Sequence, residues 1–167
     1  MTTVLVNDKM QKDYSYQRTE ISGSNFHPEF NPELSPKEML ELGVFGGKYL
    51  TDCQNEFPKS WFLNAKLSCY YKDVSLNFFK VDASTSLAHW IKKGWINYND
   101  PRGWFQWYCR YYMGRRIENE DARQIKRWRL ISRHVSAIKK NCIAKDLNCR
   151  KKQRQALLHW AYDSRKI

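Results

Sequence analysis

The aspartates at positions 52, 100 and 121 are the acidic side chains best placed in the sequence to act as a general base. A general base must lie within reach of the substrate, and a side chain that already caps a helix is poorly placed for that role. Asp100 stands directly before Pro101, an order typical of a helix N-terminus, so it has a structural use. Asp52 follows the Gly46–Gly47 turn and has no evident capping role. We therefore predict Asp52 as the candidate catalytic residue, acting as a base or as the partner of an arginine.

The common signatures of metal and nucleotide-cofactor enzymes are missing. His89, His134 and His159 fall in separate predicted helices, and no HExxH or zinc-ligand spacing occurs. The chain also lacks the GxxxxGK[ST], GxGxxG and GxSxG motifs. We therefore expect neither a metal nor a cofactor, and the sequence leaves open whether the protein is an enzyme.

Charge is distributed very unevenly along the 167 residues. Residues 1–100 carry 11 Lys and Arg against 12 Asp and Glu, whereas residues 101–167 carry 18 against 5. The balances of −1 and +13 give the net charge of +12. A cationic region of this kind predicts a polyanion partner, most simply nucleic acid, with DNA favoured. The predicted phosphate-binding residues are Arg110, Arg115, Arg116, Arg123, Lys126, Arg127, Arg133, Arg150, Lys151, Lys152 and Arg154.

For two groups of these residues, the position in the chain gives a further reason to expect phosphate binding. Cations at the start of the last helix oppose the helix dipole, so the run at 150–154 indicates a phosphate site, unless Asp146 and loop packing compensate. Arg115 and Arg116 follow the aromatic helix at a turn. They could bind phosphate or guanine in two-point contacts, or form salt bridges with the acids at 118–121.

Aromatic residues make up 15% of the chain, and seven are Trp. In the segment 104–112 they surround a predicted helix on nearly every side, which favours a buried central helix. Most of these rings must therefore belong to the core, although Trp104 and Trp107 could stack on an unpaired base, as could one of Trp90, Trp95, Tyr98 and Trp128. Arg102 and Arg110 interrupt the helix and would need partners if buried.

The local patterns predict a mainly α protein: a compact single helical domain at 35–167, preceded by an irregular N-terminal arm at 1–34. Caps and periodicity place helices at 36–42, 86–93, 101–113, 118–140 and 149–162. The stretch 74–82 has strand character and could form one small β element. The basic region covers 102–167.

Five cysteines, an odd number without a CxxC pair, predict reduced thiols and no disulfide framework. The first residues lack an apolar signal region, and no run approaches 18 apolar residues. We therefore expect an intracellular protein of the cytoplasm without a transmembrane segment, and its oligomeric state stays open.

The segments FGGKYL, DPRGWFQWYCRYYMGRR, ARQIKRW and QRQALLHWAYDSR together resemble a family of small uncharacterised proteins of phages and microbial genomes. The resemblance covers about residues 43–165 and implies one unitary fold, but no mechanism.

Two alternatives to plain nucleic-acid binding remain. One is a phage-type enzyme acting on DNA bases, such as a base-modifying transferase or a glycosylase-like protein, with Asp52 in its site. The other is a protein-interaction or inhibitor module whose basic surface docks on an acidic partner.

Overall fold

The structure is a computed structural model that describes all 167 residues. Its regular elements are one antiparallel hairpin and five α-helices, joined by 3₁₀ turns and long irregular segments. The strands are β1 (Thr2–Val6) and β2 (Tyr14–Arg18), and the helices are α1 (Pro36–Leu42), α2 (Leu87–Lys92), α3 (Trp104–Tyr112), α4 (Glu118–Asn141) and α5 (Lys151–Leu158). The prediction of a mainly helical chain is therefore correct at this coarse level. No helix is both long and apolar enough to cross a membrane.

The strands lie elsewhere than predicted. The N-terminal arm contains the β1–β2 hairpin, in which Val4 pairs with Tyr16, whereas the stretch 74–82 forms only a 3₁₀ turn at Val74–Leu76. The hairpin is held by a contact that sequence patterns do not reveal. An isolated bridge joins Arg18 to Arg115, so β2 is anchored beside the end of α3. The expectation of an irregular arm was therefore wrong for residues 2–18 and correct for residues 19–34, which contain no helix or strand. The expectation of a strand near 74–82 was wrong.

Helices α1 and α2 follow their sequence signals closely. Ser35 accepts a hydrogen bond from the Glu38 amide at 3.1 Å and begins α1, and Ser86 accepts one from the His89 amide at 3.2 Å and begins α2. Gly43 ends α1 with a φ of 107°, a conformation that favours glycine. Because capping is local, both boundaries could be predicted from the sequence.

Helix α3 is the centre of the molecule, as its all-round apolar sequence predicted. Every residue from Trp104 to Tyr111 is buried. The Phe30 ring from the N-terminal arm packs against Trp107 and Tyr108 with centroid distances of 5.4 and 5.5 Å. The helix begins at Trp104, so the prediction of Asp100 as its N-cap was wrong, and Asp100 has a different structural role described below.

Helices α4 and α5 pack against each other, and the loop between them is closed by a disulfide between Cys142 and Cys149. The expectation of five reduced thiols was therefore wrong for these two. Buried residues on the inner face of α4 include Ile125 and Trp128, and the Trp128 ring stacks on Tyr162 at 4.8 Å. Helix α5 covers only eight residues, fewer than the predicted 149–162.

Candidate nucleic-acid interface

Helix α4 presents a row of exposed cations. Lys126, Arg133 and Lys140 follow one another at intervals of seven residues, so they lie on one face of the helix, with about 10 Å between successive members. We call these three residues the cationic row. They belong to a larger set of exposed cations on α4, on the loop after it and at the start of α5. None of these has a carboxylate within 4.0 Å: Lys126, Arg133, Lys139, Lys140, Lys145, Arg150, Lys151 and Lys152.

Other cations of α4 are already paired. Arg123 donates to Glu120 at 2.7 and 3.0 Å, and Arg129 lies 3.1 Å from Glu29. Such exposed or half-exposed pairs add little stability, but they neutralise these two arginines. Arg123 is therefore a weaker phosphate ligand than the sequence suggested.

Arg116 has neither of the two roles left open for it. Its guanidinium lies over the Tyr111 ring at 3.8 Å and donates to the carbonyl oxygens of Tyr111, Ser24 and Asn25. These contacts tie the N-terminal arm to the end of α3. Arg116 is half-buried and forms no salt bridge with the acids at 118–121.

Arg110 and Arg115 are buried, and both converge on the buried carboxylate of Asp100. Arg115 donates to both Asp100 oxygens at 2.8 and 2.6 Å, and Arg110 donates to one of them at 3.2 Å and to Glu56 at 2.7 and 2.8 Å. Burial alone would lower the pKa of Arg110, but the Glu56 hydrogen bonds and charge more than offset it and raise that pKa. Neither guanidinium has surface left for a phosphate, so both predictions were wrong. Their roles are structural.

Arg154 is a third buried arginine. Its side chain is 0% exposed and donates to the carbonyl oxygens of Cys149, Ser164 and Ile167 at 2.7, 2.8 and 2.6 Å. It therefore fastens the C-terminal segment to α5 and does not face an anion, in contrast to the prediction. Its neighbours Arg150, Lys151 and Lys152 are exposed, as a phosphate-binding role requires.

Asp52 lies in a shallow groove beside β1, and no residue of α4 lines that groove. Its carboxylate is 3.2 Å from the Arg102 guanidinium, which also binds Asp8. Asp52 was predicted to act as a general base or as the partner of an arginine, and this geometry matches the second role. The adjacent Cys53 has its thiol pKa raised to about 12 by burial, so it is not a reactive nucleophile. Asp52, Arg110 and Arg115 therefore do not converge on one cleft.

A mainly apolar cleft of about 470 Å³ opens on the surface of the molecule. We call it the aromatic cleft. It is bordered by residues from the turn after α1, from α2 and the segment that follows it, and from α3, α4 and the end of α5. Its walls are aromatic and aliphatic, with two arginines and one histidine among them: Phe45, Tyr49, Trp90, Trp95, Ile96, Trp104, Phe105, Leu130, Ile131, Trp160, Arg127, Arg133 and His159.

Arg127 is the most unusual cation of the cleft. Its guanidinium lies 5.5 Å from the Trp160 ring centroid and donates to the Trp95 carbonyl oxygen and to the Gln124 side chain. No carboxylate lies within 4.0 Å of it. Burial and the nearby Arg123 charge lower the pKa of Arg127 to about 10. It is a partly desolvated cation that lacks a close counter-ion.

His159 borders the cleft as a neutral imidazole with a defined tautomer. The Gln155 side-chain oxygen accepts from the Phe79 amide at 2.9 Å, so its NH₂ group must be the donor to His159 Nε2 at 3.0 Å. The Phe45 amide donates to the same nitrogen at 3.2 Å. Nε2 is therefore an acceptor, and the proton resides on Nδ1, which has no partner in the chain. Burial lowers the pKa of His159 to about 3.

The two tryptophans predicted to stack on a base have different surroundings. Trp107 is 0% exposed and donates to Asp121 at 2.8 Å, so it belongs to the core. Trp104 is buried but borders the aromatic cleft, where its ring packs against Trp160 at 4.7 Å. The rings best placed to receive a ligand are Trp90, Trp95 and Trp160.

Sequence reasoning missed Phe45, His159 and Trp160 as site residues. His159 and Trp160 fall within the helix predicted at 149–162, where rings at helical spacing are typical of core. The one available signal was that a histidine next to a tryptophan provides a polar atom and a flat face together.

Comparison with known proteins gives no relative for this chain. No protein family matches it, and neither a curated protein nor a solved structure is significantly similar to it. The resemblance to small phage and microbial proteins therefore remains a prediction.

Proposed function

We propose that the protein binds nucleic acid, with DNA as the favoured ligand, through the exposed face of α4 and the loop leading to α5. The observation that carries the proposal is the set of eight exposed cations without carboxylate partners, among them the cationic row. Unpaired cations at regular intervals along a helix suit a ligand whose negative charges also repeat at intervals.

The buried arginines sharpen this proposal. Arg110, Arg115 and Arg154 contribute to the net charge but not to the surface, so the excess of +13 overstates the cations available to a ligand. The cations that remain available as phosphate ligands include Lys126, Arg133, Lys140 and the run 150–152. A sequence-independent grip on phosphates follows from this arrangement, since lysines act mainly as point charges.

The test is the salt dependence of binding to fluorescently labelled single- and double-stranded oligonucleotides, followed by anisotropy. We expect the triple variant Lys126→Gln, Lys140→Gln, Lys152→Gln to bind more weakly and to lower the slope of log K against log salt by about 2 to 3 on duplex DNA. The matched control removes the same charge from exposed lysines elsewhere, Lys9→Gln, Lys12→Gln, Lys59→Gln, and should retain most of the slope. Equal losses in both variants, or no binding at low salt, would contradict the proposal.

The same variants separate the proposal from docking on an acidic protein. Pull-down from a lysate with and without nuclease shows whether the bound material is nucleic acid. Capture that survives nuclease and depends on the cationic row would favour a protein partner and overturn the nucleic-acid proposal.

A further inference from the structure

The aromatic cleft exposes flat ring surfaces to solvent. The Trp95 side chain is 41% exposed, and the neighbouring Leu130 is 58% exposed. This concave apolar area is not covered by the chain, which is typical of a binding site. Trp90, which also lines the cleft, is held by a hydrogen bond from its Nε1 to the Thr85 hydroxyl at 2.8 Å, so its ring orientation is set before any ligand binds.

The charge of the cleft has one sign. Arg127 and Arg133 line it, and no aspartate or glutamate does. Arg127 is held against Trp160 without a carboxylate, so it has lost part of its hydration without gaining a counter-ion. An anionic ligand would offset that cost. The occupant should therefore combine a planar ring with a negative group.

His159 adds a directional requirement. Its Nε2 is occupied by the Phe45 amide and by Gln155, so Nδ1–H is an unpaired donor on a residue that lines the cleft. A donor of fixed orientation selects a ligand with an acceptor on its ring, such as a ring nitrogen or a carbonyl oxygen.

We infer that the aromatic cleft binds a single unstacked nucleotide, with its base among Trp90, Trp95 and Trp160, its phosphate on Arg127 and Arg133, and a base acceptor on His159 Nδ1–H. A nucleotide unites the three requirements of flat ring, phosphate and ring acceptor, and the cleft volume of about 470 Å³ lies in the range of small-ligand sites. Arg133 belongs to both proposed sites, because it lies in the cationic row and also borders the cleft. The two sites differ in their ligand, since the cleft requires only one nucleotide and not a repeating backbone.

The experiment is calorimetric titration of the full chain with the four nucleoside 5′-monophosphates, the matching nucleosides and inorganic phosphate at constant ionic strength. We expect saturable binding of at least one monophosphate, about tenfold weaker binding of its nucleoside because the Arg contacts are lost, and no measurable binding of phosphate alone. Phosphate binding as tight as that of the nucleotide would reduce the site to a simple anion site and overturn the inference. Absence of monophosphate binding up to millimolar concentration would overturn it too.

Two pairs of variants locate the site. Leu130→Trp fills the cleft from an exposed position and should abolish nucleotide binding, whereas Ile143→Trp adds the same ring at an exposed loop position, 81% exposed in the native chain, and should not. Arg133→Gln should weaken the monophosphate about tenfold while its neighbour in the cationic row, Lys140→Gln, leaves it unchanged. Nucleotide binding that survives Leu130→Trp would refute the assignment.

Polymer binding measured on the same variants keeps the two proposals apart. Leu130→Trp should leave the salt slope for oligonucleotides intact, because no cation is removed. A protein that binds mononucleotides but not oligonucleotides would retain the cleft and exclude the cationic row as a polymer site. A protein that binds oligonucleotides but not mononucleotides would exclude the cleft as a nucleotide site and would leave the cationic row as the polymer site.

Discussion

Arg115 grips Asp100 with two hydrogen bonds of 2.8 and 2.6 Å in the interior, where the two side chains are 1% and 0% exposed. Arg110 reaches the same carboxylate at 3.2 Å. One buried acid therefore holds both ends of the Arg110–Arg115 segment, and with it the end of α3, beside the loop before that helix. The positive charges of Arg110 and Arg115 therefore stabilise the fold.

The first prediction concerns this pair. Asp100→Asn leaves buried Arg115 without a carboxylate, whereas Arg110 keeps Glu56. We expect the variant to lower the free energy of unfolding by roughly 3–5 kcal/mol, because an unpaired buried charge is costly. Urea denaturation followed by circular dichroism measures the change. The control Asp13→Asn alters an exposed acid that makes no salt bridge and should stay within about 0.5 kcal/mol of the native chain. Similar effects for the two variants would contradict the structural role of Asp100.

The second prediction concerns Gly114. Its φ is +111°, and a Cβ there would lie 2.1 Å from the Glu20 carbonyl oxygen. We expect Gly114→Ala to destabilise the protein by more than about 2 kcal/mol, since both backbone strain and a clash with the N-terminal arm oppose it. The matched control is Gly94→Ala, which shares a positive φ of +71° but has no atom within 4 Å of the added Cβ. It should cost about 1 kcal/mol, the strain alone. The difference between the two melting curves contains the clash and the greater backbone strain at +111°. Equal costs for the two variants would contradict the prediction.

The third prediction is a pH dependence from His159. The pKa of this group is about 3 in the folded chain against 6.5 for a free imidazole, because burial disfavours the charged form. Below pH 6.5 the unfolded chain gains a proton that the folded chain does not bind. Stability is therefore fully present above pH 6.5 and is lost as the pH falls toward 3, by about 1.4 kcal/mol for each pH unit well below 6.5.

Chemical denaturation between pH 4 and pH 8 on the native chain and on His159→Gln isolates this contribution. The variant should lose the extra slope, whereas the control His27→Gln, at an exposed histidine, should retain it. An imidazole signal of His159 that titrates near its ordinary pKa by NMR would disprove the neutral buried state.

The fourth prediction concerns the cross-link between α4 and α5. The disulfide closes a short loop, with a sequence separation of seven residues, so a chain-entropy argument gives it about 2 kcal/mol of stabilisation. Reduction with dithiothreitol or Cys142→Ser should lower stability by that amount. Cys69→Ser, which alters an exposed free thiol, should not. A count of five reactive thiols in the unfolded, unreduced chain, where three are expected, would exclude the bond.

Local signals were predictable from the sequence because their partners lie within a few residues. Ser35 and Ser86 cap helices whose first turns they adjoin, and the apolar stripe of α4 repeats on one face. Asp100 shows the limit of that reasoning: it has the local pattern of a cap, but its partners Arg110 and Arg115 follow ten and fifteen residues later and come into contact only through the fold.

The candidate site divides in the same way. The sequence by itself determined that the C-terminal part of the chain is basic and that α3 is buried, because charge and periodicity are properties of residue type and order. Only the tertiary structure decided which cations reach solvent. Folding buries Arg110, Arg115 and Arg154 among acceptors that lie outside their own helical turns, whereas the side chains of Lys126, Arg133 and Lys140 find none. It also decided which rings border an opening. A tryptophan has the same local pattern whether it faces another side chain or a cleft, and packing between elements far apart in sequence makes that choice.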